Sequence, residues 1–196
     1  MSDPKRILVL FAHPAFQASR VNRLLSQAIK DIDGLTFHDL YKTYPEFDID
    51  VPAEQELLLS HDIYIVQHPL FWYSTPAIIK EYLDLVMEHD WAYGSHGKAL
   101  TGKQVMHTVT TGGRESAYRT DGFNGHTVRE FLLPLESTAK LCGMTFVPPF
   151  VAHGTHRMTE SEMKAHAAEY RQIVTDLQNG RIDIDAISQQ SRINTL

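Results

Sequence analysis

Residues 6–29, RILVLFAHPAFQASRVNRLLSQAI, contain the pattern that decides the fold. The stretch begins with an unbroken apolar run at residues 7–12, which is typical of a strand buried on both faces. Its second half has apolar residues at the i, i+3, i+4, i+7 spacing of one helix face: Val21, Leu24, Leu25, Ala28 and Ile29. A buried strand that leads directly into an amphipathic helix predicts a parallel α/β sheet.

The same alternation continues along the chain. Further short apolar runs occur at residues 63–67, 105–109 and 145–151, and a weaker run at residues 35–41 follows a turn. Because parallel strands need crossover connections, five strands that alternate with helices predict a doubly wound α/β sheet in the order 2-1-3-4-5. In such sheets, ligands bind at the carboxyl ends of the strands around the switch point, here strands 1, 3 and 4.

Two of the helices can be placed from proline positions. Ser74 or Thr75 is expected to cap a helix that starts at Pro76 and runs to about residue 87. A second helix, over residues 127–141, contains Pro134 and must bend there because proline lacks the amide hydrogen of the helix ladder.

The C-terminal part divides into a helix and a polar tail. A Thr159–Glu162 capping box predicts the start of the last helix, and Asn179-Gly180 predicts its end. We therefore expect one domain over residues 1–180 and a polar tail over residues 181–196 that is either mobile or placed against a partner subunit.

Composition narrows the classes of function. A chain of 196 residues with 43% apolar content can bury one core, and its net charge of −6 argues against a nucleic-acid partner. The single cysteine, Cys142, excludes an internal disulfide, and the eleven histidines lack metal-site spacing, so no metal is expected. The first apolar run, about seven residues, is too short for a signal or membrane span, which predicts a soluble, cytoplasmic protein.

The loop after the first strand suits a phosphate group. Its residues 13–22, HPAFQASRVN, contain no glycine, which excludes a GxGxxG or Walker loop. The loop nevertheless leads into a helix whose free amides and dipole favour an anion. His13, Ser19, Arg20 and Asn22 add donors or charge. The loop alone gives equal support to a plainer interpretation, in which Ser19 is only an N-cap and His13 only a loop residue.

The loops after the third and fourth strands suit a flat ring. Phe71, Trp72 and Tyr73 are consecutive and cannot all point into one core, although burial of aromatic residues is the competing interpretation. In TTGGRESAY, at residues 110–118, Gly112 and Gly113 allow the backbone to approach a ligand and to present amides to ring acceptors. The three loops together indicate one site for a flat, phosphorylated ligand.

These segments resemble the quinone reductase branch of the flavodoxin-like proteins. The resemblance covers about residues 5–178 and is carried by AHP, HDLY, YPEFDID, QHPLFWYSTPAIIKEYLD, HDWAYG and TTGGRESAY. Within that branch, the ancillary flavoproteins of glutathione-gated potassium efflux systems are the most similar subgroup, through YPEFDID, WAYG and CGMTFVPPF at residues 142–150.

The resemblance implies a flavodoxin-like fold, a non-covalent FMN with FAD as the alternative, and hydride transfer from NAD(P)H to a quinone-type acceptor. It leaves the choice between NADH and NADPH open. It assigns three groups of residues to the cofactor. The phosphate would lie among His13, Ser19, Arg20, Val21 and Asn22. The isoalloxazine would lie along Leu70, Phe71, Trp72 and Tyr73, and its other polar edge would meet Thr110, Thr111, Gly112 and Gly113.

The candidate catalytic residues depart from the family at one position. In mammalian quinone reductase, a Tyr and a His in this region stabilise charge on the flavin. Tyr118 matches the Tyr, but Asn124 stands where the His is expected, and His126 can replace it only if the loop shifts. An Asn donates a hydrogen bond but carries no proton, so the stabilisation is expected to be weaker or to come from elsewhere.

The resemblance also predicts partners and kinetics. We expect a homodimer with a shared site, to which residues 90–94 contribute, and ping-pong kinetics, because donor and acceptor would use one pocket in turn. An alternative role is that of a soluble regulatory subunit docked on a potassium antiporter at the inner face of the membrane. A flavodoxin-type electron carrier is disfavoured because HPAFQAS lacks the T-x-T-G-x-T loop.

Overall fold

The computed structural model describes residues 4–195 and contains the predicted parallel sheet. The strands pair in the order β2-β1-β3-β4-β5, and their bounds are β1 Ile7–Phe11, β2 Leu35–Asp39, β3 Ile63–Pro69, β4 Gln104–Thr110 and β5 Thr145–Ala152. In register, Phe11 lies opposite Gln67, and Pro69 lies opposite Thr110. The carboxyl ends of β1, β3 and β4 therefore lie side by side, and the doubly wound prediction is confirmed.

Helices cover both faces of the sheet. Their bounds are α1 Arg20–Ile29, α2 Leu40–Thr43, α3 Val51–Leu59, α4 Ala77–Val86, α5 Val128–Phe131, α6 Leu133–Leu141, α7 Glu160–Gln178 and α8 Ile184–Ile187. Ile7 and Val9 pack against α1 and α7, whereas Leu8 and Leu10 pack against the helices of the opposite face. This alternation explains the unbroken apolar run of β1, since both faces of the strand are buried at about 1.5 to 3 kcal/mol per large side chain.

The predicted cap of α4 is wrong. Pro76 is the N-cap residue, and it makes no side-chain capping bond. Ser74 instead closes a tight turn, in which its amide donates to the carbonyl of Phe71 and its carbonyl accepts from the Phe71 amide. Because this turn fixes Ser74 before the helix begins, its hydroxyl is not placed over the first turn of α4.

Two other element boundaries differ from the predictions. The expected single helix over residues 127–141 is divided at Leu132 into α5 and α6, and Pro134 lies in the first turn of α6, where its missing amide hydrogen costs little. The second strand ends at Asp39, two residues early, because the Asp39 carboxylate accepts from the Lys42 amide and caps α2.

The C-terminal tail is bonded to its own chain, and its expected contact with a partner subunit stays a prediction. The predicted capping box of α7 is present, and Gly180 has a φ of +64° after the helix ends. Beyond it, the Asn194 side chain bonds both the amide and the carbonyl of Val151, at 2.8 and 3.0 Å. The tail thereby covers the free edge of β5. Residues 1–3 and Leu196 lie outside the described residues.

Over residues 4–195, no helix is long and apolar enough to cross a membrane.

Candidate active site

A crevice of about 320 Å³ lies at the carboxyl ends of β1, β3 and β4. It is lined by residues of the loops after these strands and of the loop after β5: His13, Ala15, Ala18, Ser19, Arg20, Val21, Pro69, Leu70, Phe71, Thr110, Gly112, Thr155 and His156. Eight of the thirteen residues predicted to hold a cofactor are in this set, and the sheet register explains why they converge.

The start of α1 forms one end of the crevice. Ser19 is the N-cap, and its hydroxyl accepts from the Asn22 amide at 3.3 Å, after a 3-10 turn at Phe16–Ala18. The ten residues of α1 direct their positive dipole end toward this side, and the exposed Arg20 adds a full charge. This end of the crevice therefore favours an anion such as a phosphate.

Asn22 lies beneath this end rather than in its wall. The side chain is 1% exposed, and its amide nitrogen donates to Thr110 Oγ1 at 2.9 Å and to Ser19 Oγ at 3.3 Å. Its carbonyl oxygen accepts from Gln67 Nε2 at 3.3 Å. Asn22 therefore ties together the ends of β1, β3 and β4, and its direct contact with a phosphate stays a prediction.

His13 is positioned by its own loop. The Ala15 amide donates to His13 Nδ1 at 3.1 Å, so Nδ1 is unprotonated and the neutral ring carries its hydrogen on Nε2. Burial lowers the pKa of His13 below its ordinary value, which favours this neutral form near pH 7. His13 is thus a hydrogen-bond donor to the crevice rather than a fixed positive charge.

The aromatic loop is held in a strained turn. Phe71 and Ser74 exchange two backbone hydrogen bonds of 3.0 Å, and the two residues between them, Trp72 and Tyr73, have φ angles of 50° and 62°. A turn with two positive φ values ordinarily contains Asn or Gly, so large side chains here are under backbone strain. All three aromatic residues are exposed by 42 to 94%, which excludes the core interpretation.

The glycine loop brings the backbone close to neighbouring rings. A Cβ atom at Gly112 would lie 2.9 Å from the His156 ring, and one at Gly113 would lie 3.1 Å from Tyr118 Cε2. Thr110 lines the crevice, whereas Thr111 is buried and donates to the Gly113 carbonyl at 2.9 Å. Thr155 and His156 were not predicted, although the general position of a loop after β5 at the same edge could have indicated them.

The three candidate catalytic residues lie beside the crevice, around the ring of Phe131. Tyr118 and His126 contact that ring with centroid distances of 6.3 and 5.7 Å. Asn124 reaches it through Tyr73, whose hydroxyl donates to Asn124 Oδ1 at 3.4 Å and whose ring is 5.1 Å from Phe131. His126 is exposed. Phe131, which was not predicted as a site residue, contacts Tyr73, Tyr118 and His126 and thereby links the three candidates.

Tyr118 also contacts a half-buried histidine. Its ring centroid is 5.4 Å from that of His153, and burial raises the pKa of the Tyr118 hydroxyl. Thr111 Oγ1 donates to Gly113, so it accepts from His153 Nδ1, 3.1 Å away. Burial, assisted by the nearby Arg192 cation, lowers the pKa of His153 to about 4, and the ring is neutral at pH 7.

Comparisons with known proteins agree with this architecture. A family described as having a flavodoxin-like fold matches residues 5–174. The chain is 42% identical to the glutathione-regulated potassium-efflux system ancillary protein KefG of Yersinia enterocolitica, over 88% of this chain and 94% of the relative.

Two solved structures are similar along most of their length. General stress protein 14 of Treponema denticola, in complex with FMN, has 38% identity and a TM-score of 0.83, covering 88% of this chain and 99% of that one. An NADPH-quinone reductase from P. pentosaceus has 30% identity and a TM-score of 0.79, covering 86% and 96%.

Proposed function

The chain belongs to the flavodoxin-like family, and from that premise we propose that it is an FMN-dependent oxidoreductase that transfers a hydride from NAD(P)H to a quinone-type acceptor. The similar protein from Treponema denticola binds FMN, and the one from P. pentosaceus is an NADPH-quinone reductase. The name of the KefG relative mentions no cofactor, so this relative supports FMN only through its similarity to a chain of the flavodoxin-like family.

One observation carries the proposal: a single crevice joins an anion-favouring helix start to an apolar and aromatic wall. Its volume of about 320 Å³ is within the range of small-molecule sites. Ser19, Arg20 and the first amides of α1 suit a phosphate, whereas Leu70 and Phe71 suit a planar ring. Gly112 lets its backbone lie close to the His156 ring, because a Cβ atom at this position would be 2.9 Å from that ring.

These residues fit FMN in the following assignment. Ser19, Arg20 and the Val21 and Asn22 amides would hold the phosphate, with His13 donating through Nε2. Leu70, Phe71, Trp72 and Tyr73 would flank the ring, and the Thr110–Gly113 backbone would meet its polar edge. The Asn22 and Thr111 side chains would position the loops beneath the cofactor, because both are buried and bonded to protein groups.

Bound FMN supplies reversible two-electron chemistry, and the chain supplies position and electrostatics. The Phe71–Ser74 turn fixes one wall of the crevice, and His13, whose lowered pKa favours the neutral form, adds a hydrogen-bond donor rather than a second cation beside Arg20. The Tyr118 hydroxyl is protonated at neutral pH, and burial raises its pKa further, so it is a donor that can stabilise negative charge next to the glycine loop.

Spectroscopy tests the proposal directly. We expect the purified protein to be yellow and to release a chromophore with the mass of FMN on denaturation. Arg20→Gln together with Ser19→Ala should weaken FMN affinity by about tenfold or more, because charge-assisted bonds to the phosphate are lost. Arg23→Gln, also on α1 but outside the crevice lining, is the matched control. A colourless protein that takes up neither FMN nor FAD contradicts the proposal.

A second role is supported by the 42% identity to KefG, which is named as an ancillary protein of a potassium-efflux system. We propose that this chain also docks on such a membrane system from the cytoplasmic side. Pull-down from membranes that contain the cognate antiporter should retain the protein. If membranes that lack the antiporter retained the protein to the same extent, this role would be contradicted.

A further inference from the structure

A second, polar pocket of about 230 Å³ includes Tyr118 in its wall and shares no lining residue with the crevice. Its wall contains two arginines, one carboxylate and one histidine, together with hydroxyl groups: Arg119, Arg192, Glu115, His153, Tyr118 and Ser191. Ser191 and Arg192 come from the C-terminal tail, which lies beyond the family match that ends at residue 174. Part of the pocket wall therefore comes from residues outside the matched family region.

The tail is anchored on both sides of Arg192. On one side, the Arg129 guanidinium donates to the carbonyls of Ser188 and Gln190, each at 2.6 Å. On the other side, Ile193 donates to the Pro149 carbonyl at 3.0 Å, and Asn194 holds the Val151 backbone. Arg192 is thereby held in the pocket wall at about one fifth of its full exposure, which limits the entropy lost when it binds a ligand.

The charges of the pocket favour an anion. Arg192 and Arg119 share the single carboxylate of Glu115, with one contact of 3.5 Å each. These contacts are long and use one nitrogen of each guanidinium, whereas an arginine has five N–H donors. With His153 neutral, the pocket wall has a net charge of about +1 from two cations and one anion. Guanidinium pairs of this kind suit the oxygens of a phosphate.

The pocket lies next to the active-site crevice. Tyr118 contacts Gly113, and His153 is bonded to Thr111, so both residues lie against the glycine loop that borders the crevice. A group bound in the pocket would therefore be adjacent to the substrate site without blocking the start of α1.

We propose that Arg192, Arg119 and Tyr118 form an anion subsite for a phosphate group, either free or esterified. The proposal rests on the proposed function for its biological use, because the 2′-phosphate of NADPH and free inorganic phosphate carry the same chemistry. If the source is NADPH, the C-terminal tail makes this enzyme select NADPH over NADH.

Calorimetric binding to the purified protein tests the subsite apart from turnover. The probes are 2′,5′-ADP, 5′-AMP and inorganic phosphate, and the variants are Arg192→Gln, Arg192→Lys and the tail control Arg181→Gln, whose partner Asp176 is outside the pocket. We expect 2′,5′-ADP to bind about tenfold or more tightly than 5′-AMP, and Arg192→Gln to abolish that difference. Arg192→Lys should restore part of it, and Arg181→Gln should leave it unchanged.

The outcomes separate the sources and the two proposals. Phosphate binding that depends on Arg192, without a preference for 2′,5′-ADP, supports the subsite with free phosphate as its ligand. Equal affinities for all probes in wild type and Arg192→Gln overturn the subsite, even if the protein is yellow and active. Conversely, probe binding that depends on Arg192 in a protein without flavin supports the subsite while contradicting the proposed function.

Discussion

At the scale of single residues, Trp72 is in a conformation that its side chain disfavours. Its φ of 50° lies in the left-handed region, which costs an ordinary L-residue about 1 to 2 kcal/mol, and its side chain is 94% exposed. Trp72→Asn should therefore raise the unfolding free energy of the flavin-free protein by about 0.5 to 1 kcal/mol, because Asn tolerates this region. FMN retention should fall at the same time. Leu141→Asn, exposed on a regular helix, is the control for thermal unfolding and should give no gain.

Tyr118 is the residue on which the charge-stabilising role depends. Tyr118→Phe keeps the contacts of the ring with His153 and Phe131 but removes the hydroxyl beside the glycine loop. We expect hydride uptake to slow by about tenfold to a thousandfold, with FMN still bound, as for loss of one donor to developing charge. Stopped-flow absorbance measures the rate, and Tyr41→Phe on α2 is the control. If hydride uptake were normal and only the stability of the protein were lowered, Tyr118 would contribute packing alone.

The sequence predicted the residues that line the crevice better than it predicted what they do. His13, Ser19, Phe71 and Gly112 follow strand ends, and a parallel sheet brings strand ends together regardless of side-chain detail. The role of Asn22 differs because its partner Thr110 is 88 residues away, and no local pattern reports such a bond. Thr155 and His156 were missed because the switch point indicated only the loops after β1, β3 and β4, although the loop after β5 lies at the same edge of the sheet.

At the scale of elements, a buried carboxylate joins α3 to β2. Glu54, 2% exposed, accepts from the Tyr44 hydroxyl at 2.6 Å and contacts His38 Nε2 at 2.8 Å. Burial alone would raise the pKa of Glu54, but the bonds from His38 and Tyr44 outweigh it and hold the pKa below its ordinary value. The fold therefore favours the charged form.

The direction of the Glu54 pKa shift determines how the stability of the fold depends on pH. A lowered pKa means that the contribution of Glu54 to stability is present above its ordinary pKa of 4.5 and is lost as pH falls through the lower value in the folded protein. Glu54→Gln should cost about 1 to 3 kcal/mol at pH 7 and flatten the acid limb of a urea-midpoint profile. Exposed Glu46→Gln should change neither. An unchanged acid limb in Glu54→Gln would exclude this cluster as its source.

Element types were predictable because burial on both faces leaves an unbroken apolar run, as in β1, and an amphipathic helix leaves a 3.6-residue period, as in α1. The residues at which helices and strands end were less predictable. The start of α4 depends on the turn at Phe71–Ser74, and the position of the tail depends on Asn194 reaching Val151, 43 residues away. The first is a local turn that aromatic residues rarely form, and the second is a tertiary contact, so helix and strand propensity predicts neither.

At the scale of the whole molecule, two exposed aromatic residues mark one rim of the crevice. Trp72 and Phe123 are 94% and 92% exposed, and their sequence neighbours Tyr73 and Asn124 are hydrogen-bonded to each other. Apolar surface of this kind is typical of an interface. We expect a homodimer at micromolar concentration, and Phe123→Ser should shift sedimentation equilibrium toward the monomer. Leu59→Ser, at the opposite edge of the sheet, is the control. A fully active wild-type monomer would contradict the shared site.

The kinetic order follows from the shape of the crevice. A planar ring held there would have one face against Leu70, Phe71 and the glycine loop of its own chain, so donor and acceptor must use the remaining face in turn. We therefore expect ping-pong kinetics, with parallel double-reciprocal lines when NAD(P)H and a quinone are varied together.

Inhibition gives an independent measure of the same prediction, because two ligands of one face must exclude each other. A non-reducible quinone analogue should compete with NAD(P)H, and NAD(P)⁺ should compete with the quinone. Tyr118→Phe should lower the rate of the first half-reaction while leaving the lines parallel. Intersecting lines, together with noncompetitive inhibition by the analogue against NAD(P)H, would require separate sites for donor and acceptor and would exclude the single open face.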